Sequence, residues 1–233
     1  MLPHDEDHVE RAVVVPSGSV TLEGRLGIPD GAIGVVLFAH GSGSSRFSPR
    51  NRFVARVLRD AGIGTLLLDL LSREEEELDV MTRHLRFDIK LLADRLVATI
   101  DWLAQEPATR TLPVGLFGAS TGAGAALVAA AERPDRVAAV VSRGGRPDLA
   151  GDALPRVRAP TLLLVGERDD VVIRLNQIAQ ARMRAEVQLT VIPGATHLFE
   201  EPGALEHVAA AARDWFLLHL ADDRQIRAVG SLE

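Results

Sequence analysis

What most constrains this chain is a recurring alternation. Short, nearly unbroken apolar runs occur at residues 33–39, 64–69, 112–117, 137–142, 161–165 and 187–192. Runs of that length and continuity suit strands buried on both faces of a parallel sheet. The segments between several of them have helical spacing. At 49–61 Pro49 suits a first turn, and Phe53, Val54, Val57 and Leu58 share a face. At 85–104 the apolar residues Leu85, Ile89, Leu92, Leu96, Ile100 and Leu103 step by threes and fours, and Arg86, Lys90 and Asp94 read as a solvated face. Further helices are expected at 121–132, 173–183 and 204–220, the last with Leu205, Val208, Ala212, Trp215, Phe216 and His219 in one stripe. The segment 143–159 reads as irregular. At the front, β-like runs at 11–15 and 20–27 flank the turn signal Pro16-Ser17-Gly18 and predict a hairpin. Strands alternating with helices imply right-handed crossovers and one sheet covered on both faces. No linker, repeat or low-complexity block interrupts the pattern. The expectation is one α/β domain over 1–233, with 229–233 as a disordered or vector-derived tail.

Bulk properties narrow the function. The 233 residues are 47% hydrophobic and 25% charged, near the globular average, so disorder is not expected. A net charge of −6 with scattered basic residues argues against nucleic acid as a partner. Without cysteine there can be no disulfide, thiol nucleophile or thiolate metal site. No run approaches the ~18 apolar residues of a membrane span, and the acidic start of the sequence does not read as a signal peptide. The reading is a cytoplasmic protein without membrane association.

The residues that carry chemistry fall at strand ends, where reactive groups gather in such sheets. Gly118-Ala119-Ser120-Thr121-Gly122 has the form G-x-S-x-G between a strand and a helix, the pattern of a nucleophile elbow. The bland alternative is a serine capping a helix. An elbow demands an acid and then a histidine further along the chain. The acid is expected in Gly166-Glu167-Arg168-Asp169-Asp170, where Asp169 is favoured and Asp170 reads as a helix-start residue. The histidine is His197, in the loop Pro193-Gly194-Ala195-Thr196-His197. A carboxylate on Nδ1 fixes the tautomer of such a histidine and stabilises its protonated form. Oxyanion donors are expected from the backbone N–H of Thr121 and from the glycine-rich loop 40–45, with Ser42 favoured and Gly41 and Gly43 open. That loop lacks the pattern of a nucleotide-binding turn, and His40 reads as its organiser.

With H-G-S-G at 40–43, the elbow at 118–122, G-x-x-D at 166–169 and G-A-T-H at 194–197, the chain resembles the α/β-hydrolase superfamily and, within it, the dienelactone hydrolase-like branch. The resemblance implies the α/β-hydrolase fold: eight strands, mostly parallel, the second antiparallel, with helices on both faces. It also implies a serine hydrolase that needs no cofactor or metal. Dienelactone hydrolases proper use a cysteine nucleophile. With serine in its place, the resemblance points to ester hydrolysis in general through a Ser120–His197–Asp169 triad and an acyl-enzyme.

Only about seventeen residues separate 142 from 161, too few for a large cap domain, so an open site for small or medium esters is expected. Arg46, Arg50 and Arg143 lie near strand ends, where they could meet an anionic substrate group or instead pair with acids such as Asp69 or Asp148. The acidic run 74–77 reads as a solvated helix turn that could border the pocket. The partner is a small-molecule ester, and the protein a monomer or homodimer. Two other readings stay open: an acyltransferase using the same serine, and a catalytically silent interaction module.

Overall fold

The computed structural model describes residues 10–230. It contains one eight-stranded sheet, with strands β1 (Arg11–Ser17), β2 (Val20–Gly27), β3 (Val35–Ala39), β4 (Gly64–Leu68), β5 (Val114–Ala119), β6 (Val137–Arg143), β7 (Thr161–Gly166) and β8 (Val187–Ile192). The spatial order is β1-β2-β4-β3-β5-β6-β7-β8. β2 runs antiparallel to both of its neighbours, and every pairing from β4 through β8 is parallel. The α/β-hydrolase fold without a large cap domain is therefore present. The hairpin turns at Gly18-Ser19, two residues later than its sequence signal, because Pro16 and Ser17 remain in β1 opposite Thr21 and Val20. Proline is tolerated there because β1 is an edge strand.

Helices α1 (Pro49–Asp60) and α6 (Ala204–Gly230) cover one face of the sheet, and α3 (Ile89–Leu103) and α4 (Thr121–Glu132) the other. The first core layer joins Phe38, Phe117, Val141 and Leu164 to Val54 and Leu58 of α1 and to Val208 and Phe216 of α6. The second joins Leu37, Leu66, Leu116 and Val140 to Leu96 and Ile100 of α3 and to the alanines of α4. Alternate residues of each central strand thus serve opposite layers, which is why these strands read as continuous apolar runs. Two shorter helices, α2 (Arg73–Thr82) and α5 (Asp170–Arg182), follow β4 and β7. Helix α6 runs ten residues beyond the expected end at 220 and includes 229 and 230. Of the predicted tail, 231–233 lie outside the described residues, as does the acidic N-terminus. No helix of the described residues is long and apolar enough to cross a membrane.

Three local expectations are corrected. The segment 143–159 is not irregular: Pro147–Arg156 forms 3-10 turns, kinked at Gly151. The helix expected from 85 begins at Ile89, after a 3-10 turn at Leu85–Phe87, because the Asp88 side chain caps it by accepting from the Leu91 N–H at 3.0 Å. Lys90 and Asp94 do form an exposed pair, but Arg86 does not belong to that solvated face. Its guanidinium pairs with Asp79, whose side chain is completely buried. Asp79 also accepts from the N–H groups of Leu85 (2.7 Å) and Arg86 (3.4 Å), so a single carboxylate fastens α2 to the turn that follows it.

Candidate active site

Ser120 sits at the turn from β5 into α4, with φ 50° and ψ −123°. Positive φ is unusual for a residue with a side chain, and such strain persists only where surrounding packing enforces it. Here the enforcement comes from its neighbours. A side chain at Gly118 would strike the backbone of Ala123, and one at Gly122 the carbonyl oxygens of Ala39 and His40. Strand, turn and helix can approach this closely only with glycine at both places. Ser120 occupies the cap position of α4, yet its side chain caps nothing. It is partly exposed, and the helix N-terminus behind it favours negative charge nearby.

At the end of β7, Asp169 likewise stands at the cap position of its helix, α5, and likewise makes no cap. Its carboxylate instead accepts from His197 Nδ1 at 2.6 Å. Asp170 begins α5 in the first turn, where its charge suits the helix dipole. The His197 side chain is 41% exposed. Two acids unmarked in the sequence hold the histidine loop. Glu167 accepts from the Gly194 N–H at 2.7 Å, and Glu201 from the Thr196 N–H at 3.1 Å. Bonding to Thr196 keeps the Glu201 carboxyl below its usual range. Their signal was position alone: Glu167 lies inside the G-x-x-D motif at 166–169, and Glu201 four residues past His197.

The 40–45 loop lies directly on the elbow. A side chain at Gly41 would come within 3.1 Å of Ser120 Cβ, and the Ser42 N–H donates to Thr121 Oγ1 at 3.1 Å. The two residues expected to supply oxyanion donors are thus in contact, with the Ser42 donor already engaged by a hydroxyl. The Thr121 N–H is the first of α4 and has no intrahelical acceptor. His40 organises the loop through both ring nitrogens: Nδ1 donates to the Gly41 carbonyl at 2.9 Å, and Nε2 accepts from the Leu70 N–H at 3.0 Å. Burial lowers its pKa from the ordinary value, only partly offset by the Gly41 bond and by Asp69 and Glu76. It is a structural, neutral imidazole.

The arginines divide. Arg46 does not face the site as a free cation. Its backbone N–H and guanidinium both bind Asp69, and its Nη2 bonds Glu23 at 2.5 Å. Those two carboxylates occupy its guanidinium, so of the two readings the sequence left open for Arg46, a substrate anion or an acid such as Asp69, the structure shows the pairing with Asp69. Asp148 pairs with Arg146, leaving Arg143 without that partner. Next to the Arg46 cluster, a cavity of about 920 Å³ opens between the 40–45 loop and α2, lined by His40, Ser44, Asp69, Glu74 and Glu76 among others. The acidic run therefore does border a cavity, though Ser120 and His197 do not line it.

Comparison with known proteins fits this arrangement. Residues 22–220 match the model of the dienelactone hydrolase family. The chain belongs to that family. Among solved structures, the dienelactone hydrolase from Anabaena variabilis is 62% identical, covers 92% of this chain and 99% of its own, and superimposes with a TM-score of 0.91. An esterase of Pyrococcus furiosus shares the fold at 17% identity, over 91% of this chain and 92% of its own, with a TM-score of 0.75. Two Mycobacterium tuberculosis proteins, each named "putative phosphoribosyl transferase", are 61% identical over 211 residues. That match takes in 91% of this chain but 47% of theirs, so the chain spans about half the length of these curated relatives.

Proposed function

We propose that this member of the dienelactone hydrolase family is a serine hydrolase of carboxylic esters. The observation that carries the reading is Ser120: a serine at a helix cap that caps nothing, forced to φ 50° at a strand end. A serine serving only the helix would relax to an ordinary cap. In the proposed reaction His197 takes the Ser120 proton as the hydroxyl attacks the ester carbonyl. Asp169 holds the imidazole by Nδ1 and stabilises it while charged. The N–H groups of Thr121 and Ser42 bind the developing oxyanion. The alcohol leaves with the proton from His197, and water activated by the same ring releases the acid. Small and medium esters suit the absence of a large cap.

The transferase name is that of mycobacterial proteins of which this chain matches 47%. The test is hydrolysis of p-nitrophenyl acetate by the wild type and by Ser120→Ala, with labelling by a fluorophosphonate. Turnover and labelling confined to the wild type are expected. Equal turnover by the variant would remove Ser120 from the mechanism.

A further inference from the structure

Asn176 lies midway along α5 and is completely buried, a rare place for an amide unless its polar groups are used. Its Nδ2 donates twice, to the Gly145 carbonyl at 3.0 Å and to the Val172 carbonyl one turn back in the same helix at 2.8 Å. Two carbonyls face that end of the side chain, so it must be the NH2, because an amide oxygen there would meet only other acceptors. The amide is kept although its Oδ1 is buried without a partner. A residue that only filled the core would be aliphatic, since an orphaned interior carbonyl is costly. The Val172 bond stays within α5. The Gly145 bond leaves it, and joins the helix that begins beside Asp169 to the turn Gly144-Gly145-Arg146 after β6.

That turn bears on both reacting residues. The Arg143 carbonyl just before it accepts from the Ser120 N–H at 3.3 Å, and the Arg146 N–H at its end donates to the Ser120 carbonyl at 3.0 Å, so Ser120 is gripped on both sides. Gly144, at φ 50°, presses on the histidine loop: a Cβ there would sit 3.1 Å from the His197 carbonyl and 3.6 Å from ring atom Cε1. Gly145 is seated as tightly, since a Cβ on it would come 1.9 Å from Ser142 Oγ and 2.5 Å from Ala123 Cβ. The elbow, the histidine loop and, through Asn176, the helix of the acid meet at one turn.

We propose that Asn176 is a positioning residue for the triad: its bond to the Gly145 carbonyl holds the 144–146 turn where Ser120 and His197 align, and keeps that turn in register with α5 and so with Asp169. Asn176 touches no reacting atom, and its effect passes through the turn. A displacement of about 1 Å there is enough to cost about a hundredfold in rate, because attack requires closely aligned groups. This rests on the ester-hydrolase reading and adds the residue that aligns its nucleophile, base and acid.

The test uses two exchanges of Asn176. Asn176→Leu keeps the bulk and removes both donors. Asn176→Ser keeps a hydroxyl that can bond the Val172 carbonyl from within the helix but is too short to reach Gly145. Each is expected to lower kcat on p-nitrophenyl acetate by about 10- to 100-fold, with KM within about twofold of the wild type. Ala179→Gly, on the same helix and equally buried, loosens α5 without removing a bond to the turn. It is expected to lower the thermal midpoint and leave kcat unchanged. Undiminished kcat in the Asn176 variants overturns the proposal, as does a loss seen in KM alone or an equal loss of kcat in Ala179→Gly. Should Asn176→Leu not fold, Asn176→Ser decides by the same criteria. Ser120→Ala run alongside keeps the two readings apart. Turnover by that variant defeats the serine mechanism, whereas an inactive Ser120→Ala beside fully active Asn176 variants defeats only the positioning role.

Discussion

At the scale of single residues, the two helix caps without caps are the informative feature. Serine and aspartate at such positions normally satisfy the free N–H groups of their own helix. Ser120 and Asp169 both decline that role, and Asp169 gives its carboxylate to His197 across 28 positions of sequence. Asp169→Asn keeps the shape but favours the wrong tautomer of His197. It is expected to lower kcat by about 10⁴ with little change in KM, by analogy with the same exchange in a serine protease triad. Steady-state kinetics on p-nitrophenyl acetate measure this, and a loss confined to KM would show that Asp169 does not orient the base. The motif at 118–122 was readable because glycine, serine and glycine at that spacing have few other uses between a strand and a helix. The fate of the arginines was not readable. Arg46 and Arg143 look alike in sequence, and only the chain's return brings Asp69 and Glu23 to the first while, among the described residues, bringing no acid to the second.

At the scale of elements, the parallel strands were legible to within two or three residues, since burial on both faces leaves an unbroken apolar run. What lies between 69 and 89 was less so. Glu74, Glu76 and Glu77 are acidic in the ordinary solvated way, but Asp79 among them is completely buried and receives Arg86 and two N–H groups. Nothing in a run of like charges marks the one that turns inward. Its pKa feels burial pushing upward, yet the bonds from Arg86 and from the Leu85 and Arg86 N–H groups outweigh that and hold it low. Asp79→Asn is expected to detach α2 from the turn at Leu85–Phe87. Amide exchange should accelerate over 73–88, of which residues between Arg73 and Val80 border the 920 Å³ cavity, while β3 and β5 stay protected. Unchanged exchange in 73–88 would mean that the helix is held by packing instead.

At the scale of the whole molecule, His40 links acidity to stability. Its folded pKa is depressed from the ordinary 6.5, with burial the main cause. The unfolded chain therefore binds this proton more readily, and the contribution of His40 is complete above about pH 6.5 and lost as pH falls through the lower, folded value. Charging the ring also abolishes the Nε2 acceptor that holds Leu70. The thermal midpoint of the wild type is expected to fall as pH drops below 6.5. His40→Gln, with no titrating group there, should show a shallower decline relative to its own value at pH 8. Parallel curves for the two proteins would remove His40 as the cause.

The bond from the Ser42 N–H to Thr121 Oγ1 has a consequence for selectivity. In the free protein a neutral hydroxyl oxygen already sits where the proposed mechanism needs an acceptor. An ester carbonyl arriving there exchanges one uncharged acceptor for another and gains almost nothing. Only when attack turns that carbonyl oxygen into an anion does the exchange become favourable. A donor with a resident tenant discriminates by charge, and so rewards the tetrahedral adduct over the ester that precedes it.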